Sequence, residues 1–334
     1  MATPTAAAST DKPVAVTVVV CAYTMKRWHD LVEACTAIDA QTVKPAQVIL
    51  VIDHNDELEL RARTELATAH PLLSVQPNRR SRGLSGARNT AIDACTTPLI
   101  AFLDDDACPD ERWLEGLVRP CAEPKVWITG GHSEPRWPGV RPRWFPPEFD
   151  WVVGSSYLGM PQRESDVRNV HGCSMAFRSE VFARVGQFDE GLGRVGTLPV
   201  GCEETELCIR LAQSIPQARI RYVPSSQVKH RVSVDRIRLG YFIRRCYSEG
   251  LSKAQIGRLV GASAGTSDER DYARKVLPAG VRAGLGRAIR GDLDGFLRAS
   301  AIVTGLAITT VGYARGLAAG DSTGASRRMT ATRR

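Results

Sequence analysis

The sequence predicts an α/β fold, a mostly parallel sheet covered by helices on both faces, with an all-helical region at its C-terminal end. Three observations support this. Short β-branched apolar runs alternate with segments of helical periodicity from residue 14 to about 223, as in βαβ units. Two of the runs end in carboxylates, where a buried strand leaves its sheet. From Val234 onward the pattern is helical throughout.

The first hundred residues supply parallel strands and their covering helices. Residues 1–13 are rich in Ala, Thr and Ser, lack the apolar centre of a secretion signal and predict a frayed tail. Strands are predicted over residues 14–21, 47–53, 72–75 and 98–103, and helices over 28–38, 56–69 and 85–95.

The middle of the chain is less regular. It predicts a helix over 110–122, strands over 126–131 and 174–177, a short helix over 179–185, a helix opening at 201 and a last strand over 219–223. Between them, residues 135–151 are rich in Pro and Gly, which argues against regular structure, and carry five aromatic side chains. Such a loop either anchors itself to the body through its rings or forms a surface that stacks on a sugar or an isoprenoid chain.

The C-terminal region predicts helices over 235–248, 252–260, 268–290 and 292–315, and a disordered basic tail over 321–334. Its most apolar stretch, residues 299–314, is about 24 Å long as a helix, shorter than the ~30 Å hydrocarbon core of a bilayer. We therefore expect a packed or interfacial helix rather than a spanning one. The expected domains are 14–232 and a helical extension over 233–320, between tails at 1–13 and 321–334.

Charge is unevenly distributed along the chain. The formal net charge is +8, but residues 228–334 hold 20 Lys or Arg against 8 Asp or Glu. This asymmetry predicts an anionic partner for the C-terminal third, either nucleic acid or a membrane surface. A nucleic-acid-binding protein would need aromatic residues interleaved with the basic ones or a known reading module, and the sequence contains neither. We therefore expect the membrane surface and no nucleic acid.

The nine cysteines are scattered, without a CxxC pair or metal-finger spacing. Such cysteines are typical of a reducing cytosol, where they act as small core residues.

Asp104, Asp105 and Asp106 follow the predicted strand over 98–103. Adjacent carboxylates repel one another, so a compact fold tolerates them best beside a cation or in solvent. The residues alone allow either a divalent metal site at the carboxyl end of a sheet strand or a solvated acidic turn. An EF-hand loop is excluded, because Cys108 stands where a third acid is required and the glycine is missing.

A second acidic group, Glu203 with Glu204 and Glu206, opens the helix predicted from 201. Acids there gain from the helix dipole, which is the structural explanation. Because successive helical residues diverge by about 100°, one of Glu203 and Glu204 can face a pocket while the other turns away.

Six segments in order resemble the inverting nucleotide-sugar glycosyltransferases of family 2, which have the GT-A fold, a Rossmann-like nucleotide-diphospho-sugar transferase architecture. The resemblance covers about residues 14–232. The segments are Cys21-Ala22-Tyr23-Thr24, Asp53, Arg82-Gly83-Leu84-Ser85-Gly86-Ala87-Arg88-Asn89, Phe102-Leu103-Asp104-Asp105-Asp106, residues 172–178 with 185–190, and Glu203-Glu204-Thr205-Glu206-Leu207. Sugar nucleotidyltransferases fit less well, because their Gly-rich loop directly after the first strand is absent.

The resemblance implies roles for particular residues. It implies that the nucleotide-sugar donor contacts Ala22, Tyr23, Asp53, Arg82, Arg88, Asp104 and Asp105. It implies that Mg²⁺ or Mn²⁺ is held by Asp104, Asp106 and His230. An ion-pair role for Arg88 and an ordinary hydrogen-bonded role for His230 remain alternatives.

Glu204 matches the family's catalytic base, although the family more often has Asp there. A Glu side chain reaches roughly 1.5 Å further, and a misplacement of about 1 Å can cost ~100-fold in rate. Either the helix sits further back or Glu203 takes the role. The resemblance thus implies a metal-dependent inverting transfer from a nucleotide sugar, UDP-linked before dTDP or GDP, to a glycan or polyprenyl-linked acceptor.

The expected location is the cytoplasm, peripherally on the inner face of the plasma membrane, in cell-envelope or glycoconjugate synthesis. A catalytically inactive glycosyltransferase-like scaffold is the alternative that the Glu204 departure leaves open.

Overall fold

In this computed structural model the described residues are 14–193, 201–261 and 267–331, with side chains described over 269–319 in the last range. The tail expected at 1–13 lies outside them, as do the side chains of the tail expected from 321.

The described residues form one nine-stranded mixed sheet in the order β3-β2-β1-β4-β8-β6-β9-β5, with β7 paired to β9. The strands are β1 (Val16–Ala22), β2 (Gln47–Ile52), β3 (Leu73–Pro77), β4 (Leu99–Asp104), β5 (Ala107–Pro109), β6 (Val126–Arg136), β7 (Ser165–Asp166), β8 (Ser174–Arg178) and β9 (Arg219–Arg231). β3, β2, β1 and β4 are parallel, so their carboxyl ends lie along one edge. Beyond β4 the directions mix, because β8 runs antiparallel to both β4 and β6 while β6 and β9 are parallel.

Helices cover both faces of the sheet and form the C-terminal extension. They are α1 (Trp28–Asp39), α2 (Asp56–Arg61), α3 (Ala67–Ala69), α4 (Leu84–Ala94), α5 (Trp113–Val118), α6 (Glu180–Val185), α7 (Glu203–Ser214), α8 (Leu239–Val260), α9 (Ser267–Asp271), α10 (Leu277–Ile289) and α11 (Leu293–Ala331). Shorter 3₁₀ or π turns lie at Met25–Arg27, Ala62–Leu66, Arg119–Ala122, Pro147–Val153, Val234–Ile237 and Tyr272–Val276.

Alternation of side-chain direction along the central strands divides the core of the body, residues 14–232, into two layers. Val18 and Val20 of β1 pack in the layer that includes Leu31 of α1, whereas Val19 packs with Ala87 of α4 and Leu207 of α7. Successive strand side chains point to opposite faces, so a run apolar at every position is buried on both sides. The α/β class with helices on both faces is thereby confirmed.

The last predicted strand is longer than the sequence pattern indicated. The prediction ended at Val223, but β9 continues to Arg231, and its pairing with β6 jumps from Gly131↔Val223 to His132↔Gln227. Residues 224–226 are thus a three-residue bulge, a proline and two serines that interrupt the apolar pattern without ending the strand. This continuation carries His230 to the edge of the sheet beside Ala107.

The expectation that residues 135–151 lack regular structure is wrong in part. β6 runs through Arg136, and a 3₁₀ turn covers Pro147–Val153. The rings of Phe145 and Phe149 are buried and lie 5.6 and 5.3 Å from the ring of Phe242 on α8. Those two aromatic residues therefore anchor the loop through their rings, as the first interpretation expects, but to the extension rather than to the body.

A helix break expected at residues 249–251 is also wrong, because α8 is one continuous helix of 22 residues. Gly250 lies where α8 crosses α11, and a Cβ there would come within 2.1 Å of the Thr309 carbonyl oxygen. Gly312 of α11 faces Tyr247 in the same way, at 2.2 Å from its carbonyl oxygen. Gly250, which lies in the expected break, is required for this close crossing.

α11 is longer than expected. Among the helices of the described residues, it alone contains a stretch long and apolar enough to cross a membrane, Leu293–Ala319. A third (33%) of the most apolar window of that stretch is buried against the rest of the protein.

We expect Gly250→Ala to lower the free energy of unfolding by about 1–3 kcal/mol, because the added methyl group has no space at the crossing of α8 and α11. Gly286→Ala is the matched control, since a Cβ at this helical position would meet no described atom within 4 Å. It should be neutral or stabilising by up to ~1 kcal/mol. Urea denaturation measures both, and equal effects of the two substitutions would contradict the close crossing.

Candidate active site

The functional side chains gather where parallel strands end. Pairing of Cys21 with Asp104 and of Ala22 with Ile52 sets the ends of β1, β2 and β4 side by side. The residues that follow these strands therefore share one edge of the sheet, the position at which open α/β sheets bind ligands.

Asp104, Asp106 and His230 come together at this edge. One ligand atom from each lies within 4.8 Å of the others. Nε2 of His230 is 3.1 Å from a carboxylate oxygen of Asp106 and 3.9 Å from one of Asp104. Gly154 makes room for the imidazole, because a Cβ there would lie 2.8 Å from its Cε1 atom.

The two carboxylates and one imidazole suit Mg²⁺ or Mn²⁺ as ligands. Both ions favour carboxylate oxygens, and the imidazole nitrogen is better matched to Mn²⁺. Although burial acts to raise it, His230 and Arg27 hold the pKa of Asp106 well below its usual range. Among the described residues, the buried Nδ1 of His230 has no hydrogen-bond partner. These three side chains thus fit a divalent cation.

Arg27 is a site neighbour that the sequence analysis missed. Its Nη1 is 2.5 Å from Asp105 and 3.2 Å from Asp106. Burial, opposed by Arg27, raises the pKa of Asp105 to about 7. Because β1 and β4 are parallel neighbours, a basic residue shortly after β1 was the available signal. Asp105 does not line the cavity described below, nor do Asp106, Ala22, Tyr23, Asp53 or Arg82. The donor-binding role of Asp105 stays a prediction.

Arg88 of α4 connects the acidic edge to α7. Its guanidinium donates to Glu203 at 2.7 Å and to the Gly172 carbonyl at 2.9 Å, and lies 3.5 Å from Asp104. Its side chain is only 2% exposed. The geometry is that of the structural ion pair considered for Arg88, and it leaves the residue in contact with Asp104.

Glu203 and Glu204 differ sharply in their surroundings. Glu203 is buried and paired to Arg88, and its second oxygen is without a partner within the described part of the chain. Burial and the Glu203 carboxylate raise the pKa of Glu204 to about 8. A carboxyl group with a pKa near neutrality can take up and release a proton at physiological pH.

The remaining residues expected to bind the donor lie at or just after the ends of β1, β2 and β3, with Arg82 in the loop between β3 and α4. Asp53 accepts from the Asn78 side chain at 2.7 Å and from the Gly83 amide at 3.0 Å. Arg82 and Tyr23 are exposed, and Ala22 is buried with its carbonyl accepting from the Asp53 amide at 2.8 Å. The strand ends thus bring these four residues to the same edge, where Arg82 and Tyr23 are accessible to a ligand.

A cavity of about 1000 Å³ opens beside these groups. The body contributes Arg88, Asp104, Glu203, Glu204 and His230 to its lining. The extension contributes a comparable share, including Arg245, Glu249, Lys253, Tyr272 and Tyr313. The extension therefore forms a wall of this site, which was not predicted from the sequence. The available signal was the charge spacing of Arg245, Glu249 and Lys253, which puts all three on one helical face.

Comparison with known proteins gives consistent matches. A family model described as "Glycosyl transferase family 2" matches residues 17–186. The "Glucosyl-dolichyl phosphate glucuronosyltransferase" of Haloferax volcanii is 31% identical over 263 residues, covering 78% of this chain and 83% of that protein.

Two solved structures share the fold. The mannosyltransferase PcManGT from Pyrobaculum calidifontis, in complex with GDP-Man and Mn²⁺, aligns with a TM-score of 0.58 at 18% identity, covering 90% of this chain and 87% of that one. GalNAc-T7 with UDP, GalNAc and Mn²⁺ aligns with a TM-score of 0.53 at 15% identity, covering 80% of this chain and 57% of that one.

Glu204 should make the stability of the metal-free protein depend on pH. Its pKa is about 8 in the folded state against a reference value of 4.5, so folding favours the protonated form. The stabilising contribution is complete below the reference value and is lost as pH rises through the folded value. We expect the free energy of unfolding of the wild type to fall, relative to that of Glu204→Gln, between about pH 5 and pH 8.

Urea denaturation across this range measures the difference. Glu206→Gln is the matched control, because Glu206 lies on the same helix and pairs with Arg210 instead. It should keep the wild-type pH dependence, and parallel profiles for the wild type and Glu204→Gln would contradict the raised pKa.

Proposed function

Because this chain belongs to glycosyl transferase family 2, we propose that it transfers a sugar from a nucleotide sugar to a hydroxyl group of a lipid-linked glycan. That it is a glycosyltransferase with a GT-A fold follows from the family match and the structural neighbours. Metal dependence, inversion, the donor and the acceptor are the proposed parts. The observation that carries the proposed mechanism is one cavity lined by Asp104, His230 and Glu204 together. The donor and acceptor classes rest on the similar proteins.

The acidic edge is proposed to bind the diphosphate side of the donor. Asp104, Asp106 and His230 would hold Mg²⁺ or Mn²⁺, which when bound neutralises charge developing on the leaving diphosphate. Arg27 and Arg88 contact the aspartates and fix their side chains. Asp53, Arg82, Tyr23 and Ala22 would contact the nucleotide.

Glu204 is proposed as the catalytic base. It would accept the proton of the acceptor hydroxyl as the oxygen forms its bond to the anomeric carbon and the bond to the diphosphate breaks, with inversion in one in-line step. Glu203 is less suited to this role, because its carboxylate is engaged by the buried Arg88 guanidinium. The raised pKa of Glu204 matches a group that must take up a proton near neutral pH.

A UDP-sugar is the proposed donor. Support comes from the resemblance and from the UDP named for GalNAc-T7, whereas the GDP-Man named for PcManGT keeps a guanine nucleotide as the second candidate. The acceptor is proposed to be polyprenyl-linked, because the similar Haloferax volcanii protein is named for a dolichyl phosphate glycan.

The extension is proposed to hold the enzyme on the inner face of the membrane. Ile289, Leu293 and Phe296 are 87%, 76% and 55% exposed around the junction of α10 and α11. Arg287 and Arg290 lie in the same segment. Exposed apolar side chains beside basic ones favour an anionic bilayer surface, where each Lys or Arg contributes about 1 kcal/mol.

Two substitutions separate donor binding from transfer. Asp106→Asn should abolish the Mn²⁺-dependent rise in melting temperature caused by UDP, and with it sugar transfer. Glu204→Gln should keep that rise and lower kcat by about 10²–10⁴. Thermal shift and a transfer assay with UDP-sugars measure both.

Asp110→Asn is the matched control, since Asp110 is an exposed acid four residues from Asp106. Full activity of Asp106→Asn would overturn the metal site, and full activity of Glu204→Gln would overturn the base.

Phe296→Asp should weaken binding to vesicles of anionic lipid about tenfold or more, because it removes a large apolar side chain from the proposed contact. Leu60→Asp is the control, since Leu60 is 66% exposed on α2 of the body. Vesicle co-sedimentation measures both variants. Equal binding of both, or extraction of the protein only by detergent as for a spanning helix, would contradict peripheral binding.

A further inference from the structure

A cluster of charged side chains lies in the cavity wall formed by the extension. Arg245, Glu249 and Lys253 stand on one face of α8, and Arg168 and Glu269 complete the group. All five line the cavity, and the catalytic proposal above uses none of them.

Four contacts join these side chains. Arg245 lies 2.8 Å from Glu249, and Lys253 lies 3.5 Å from Glu249 and 2.6 Å from Glu269. Arg168 donates two hydrogen bonds to the Glu269 carboxylate, of 2.7 and 2.9 Å.

The acidic and basic members of the cluster stay charged although they are buried. Against the effect of burial, Arg245 and Lys253 lower the pKa of Glu249, and Cys202, Glu249 and Glu269 raise that of Lys253. Buried charges are costly unless their polar atoms find partners.

Arg245 supplies the independent sign of a ligand. It is only 9% exposed, it lines the cavity, and its Nε finds no hydrogen-bond partner in the part of the chain that the structure describes. A guanidinium with an unused N–H is suited to a phosphate oxygen, which accepts such donors in a forked geometry.

The side chains around the cluster indicate which substrate carries the anionic group. Glu249 lies 3.7 Å from the sulfur of Cys202, two residues before Glu204, and Glu204 and Lys253 both line the cavity, so the cluster adjoins the proposed base. Leu306, Thr309 and Tyr313 of α11 line the same cavity. The cavity thus offers the proposed base, the basic side chains of Arg245 and Lys253, and part of an apolar helix.

We propose that Arg245 and Lys253 form a subsite for a phosphate group carried by the acceptor. The sugar hydroxyl faces Glu204, and the apolar chain leaves the phosphate along α11. This inference rests on the proposed function, which supplies the acceptor hydroxyl at Glu204.

The test uses the full chain and three probes, farnesyl phosphate, farnesol and inorganic phosphate, titrated by calorimetry. We expect farnesyl phosphate to bind at least about tenfold more tightly than either other probe. Arg245→Met should remove most of that advantage. Glu249→Gln, which deletes a competing carboxylate, should strengthen farnesyl phosphate binding. The opposite directions distinguish a phosphate subsite from general damage to α8.

Arg244→Met is the matched control, because it removes the same charge from the exposed neighbour of Arg245 on the same helix. It should bind all three probes as the wild type does. Equal binding of farnesol and farnesyl phosphate, or unchanged binding by Arg245→Met, would overturn the subsite. Inorganic phosphate binding as tightly as farnesyl phosphate would overturn its assignment to the acceptor.

Binding of UDP with Mn²⁺ is measured on the same samples. Its retention in Arg245→Met, together with lost phosphate discrimination, supports the subsite. If the wild type binds neither UDP nor GDP in the presence of Mn²⁺, that result counts against the proposed function. The titrations with the three probes still decide the subsite in that case.

Discussion

Three consecutive carboxylates at the end of β4 impose the constraint on which this structure depends. Their mutual repulsion must be relieved within a few ångströms, and each receives a different partner. Asp104 lies 3.5 Å from Arg88 of α4, Asp105 2.5 Å from Arg27 after β1, and Asp106 3.1 Å from His230 of β9. Elements far apart in the chain thus meet at one point. The acids thus organise the sheet edge through their own ion pairs, apart from any role in the proposed metal site.

One buried arginine then couples the two halves of the cavity. Arg88 touches Asp104 with one nitrogen and Glu203 with the other, so the acidic edge and the first turn of α7 share a single guanidinium. A buried ion pair contributes modest net stability, but removing one partner costs about 3–5 kcal/mol. The pair therefore fixes position more than it adds stability, and because Arg88 engages Glu203, Glu204 is the one of the two acids that we propose as the base.

Local patterns in the sequence were sufficient for the parallel half of the fold and for the acids at its edge. β1 and β2 are β-branched runs and β4 is a short apolar run; all three are buried on both faces, and β4 leads directly to Asp104 and Asp106. The errors arose where pairing between distant segments decides the outcome. β9 continues past Pro224 because β6 pairs with it on both sides of a bulge, and α8 continues through Gly250 because α11 crosses there. Arg27 and the cavity wall of α8 were missed because only tertiary packing brings them to the site.

The glycines at the crossing of α8 and α11 have a consequence for how the extension can move. A slide of α11 by one turn, about 5.4 Å, would bring a different residue to each place where a glycine of α11 now allows a close contact. In one direction Ile308 would replace Gly312 against the Tyr247 backbone, and in the other Thr309 would replace Gly305, whose missing side chain leaves room for the Phe149 ring. Both directions meet a steric block. The helix therefore has one axial register. The cavity wall that it forms is accordingly held at one position along the helix axis.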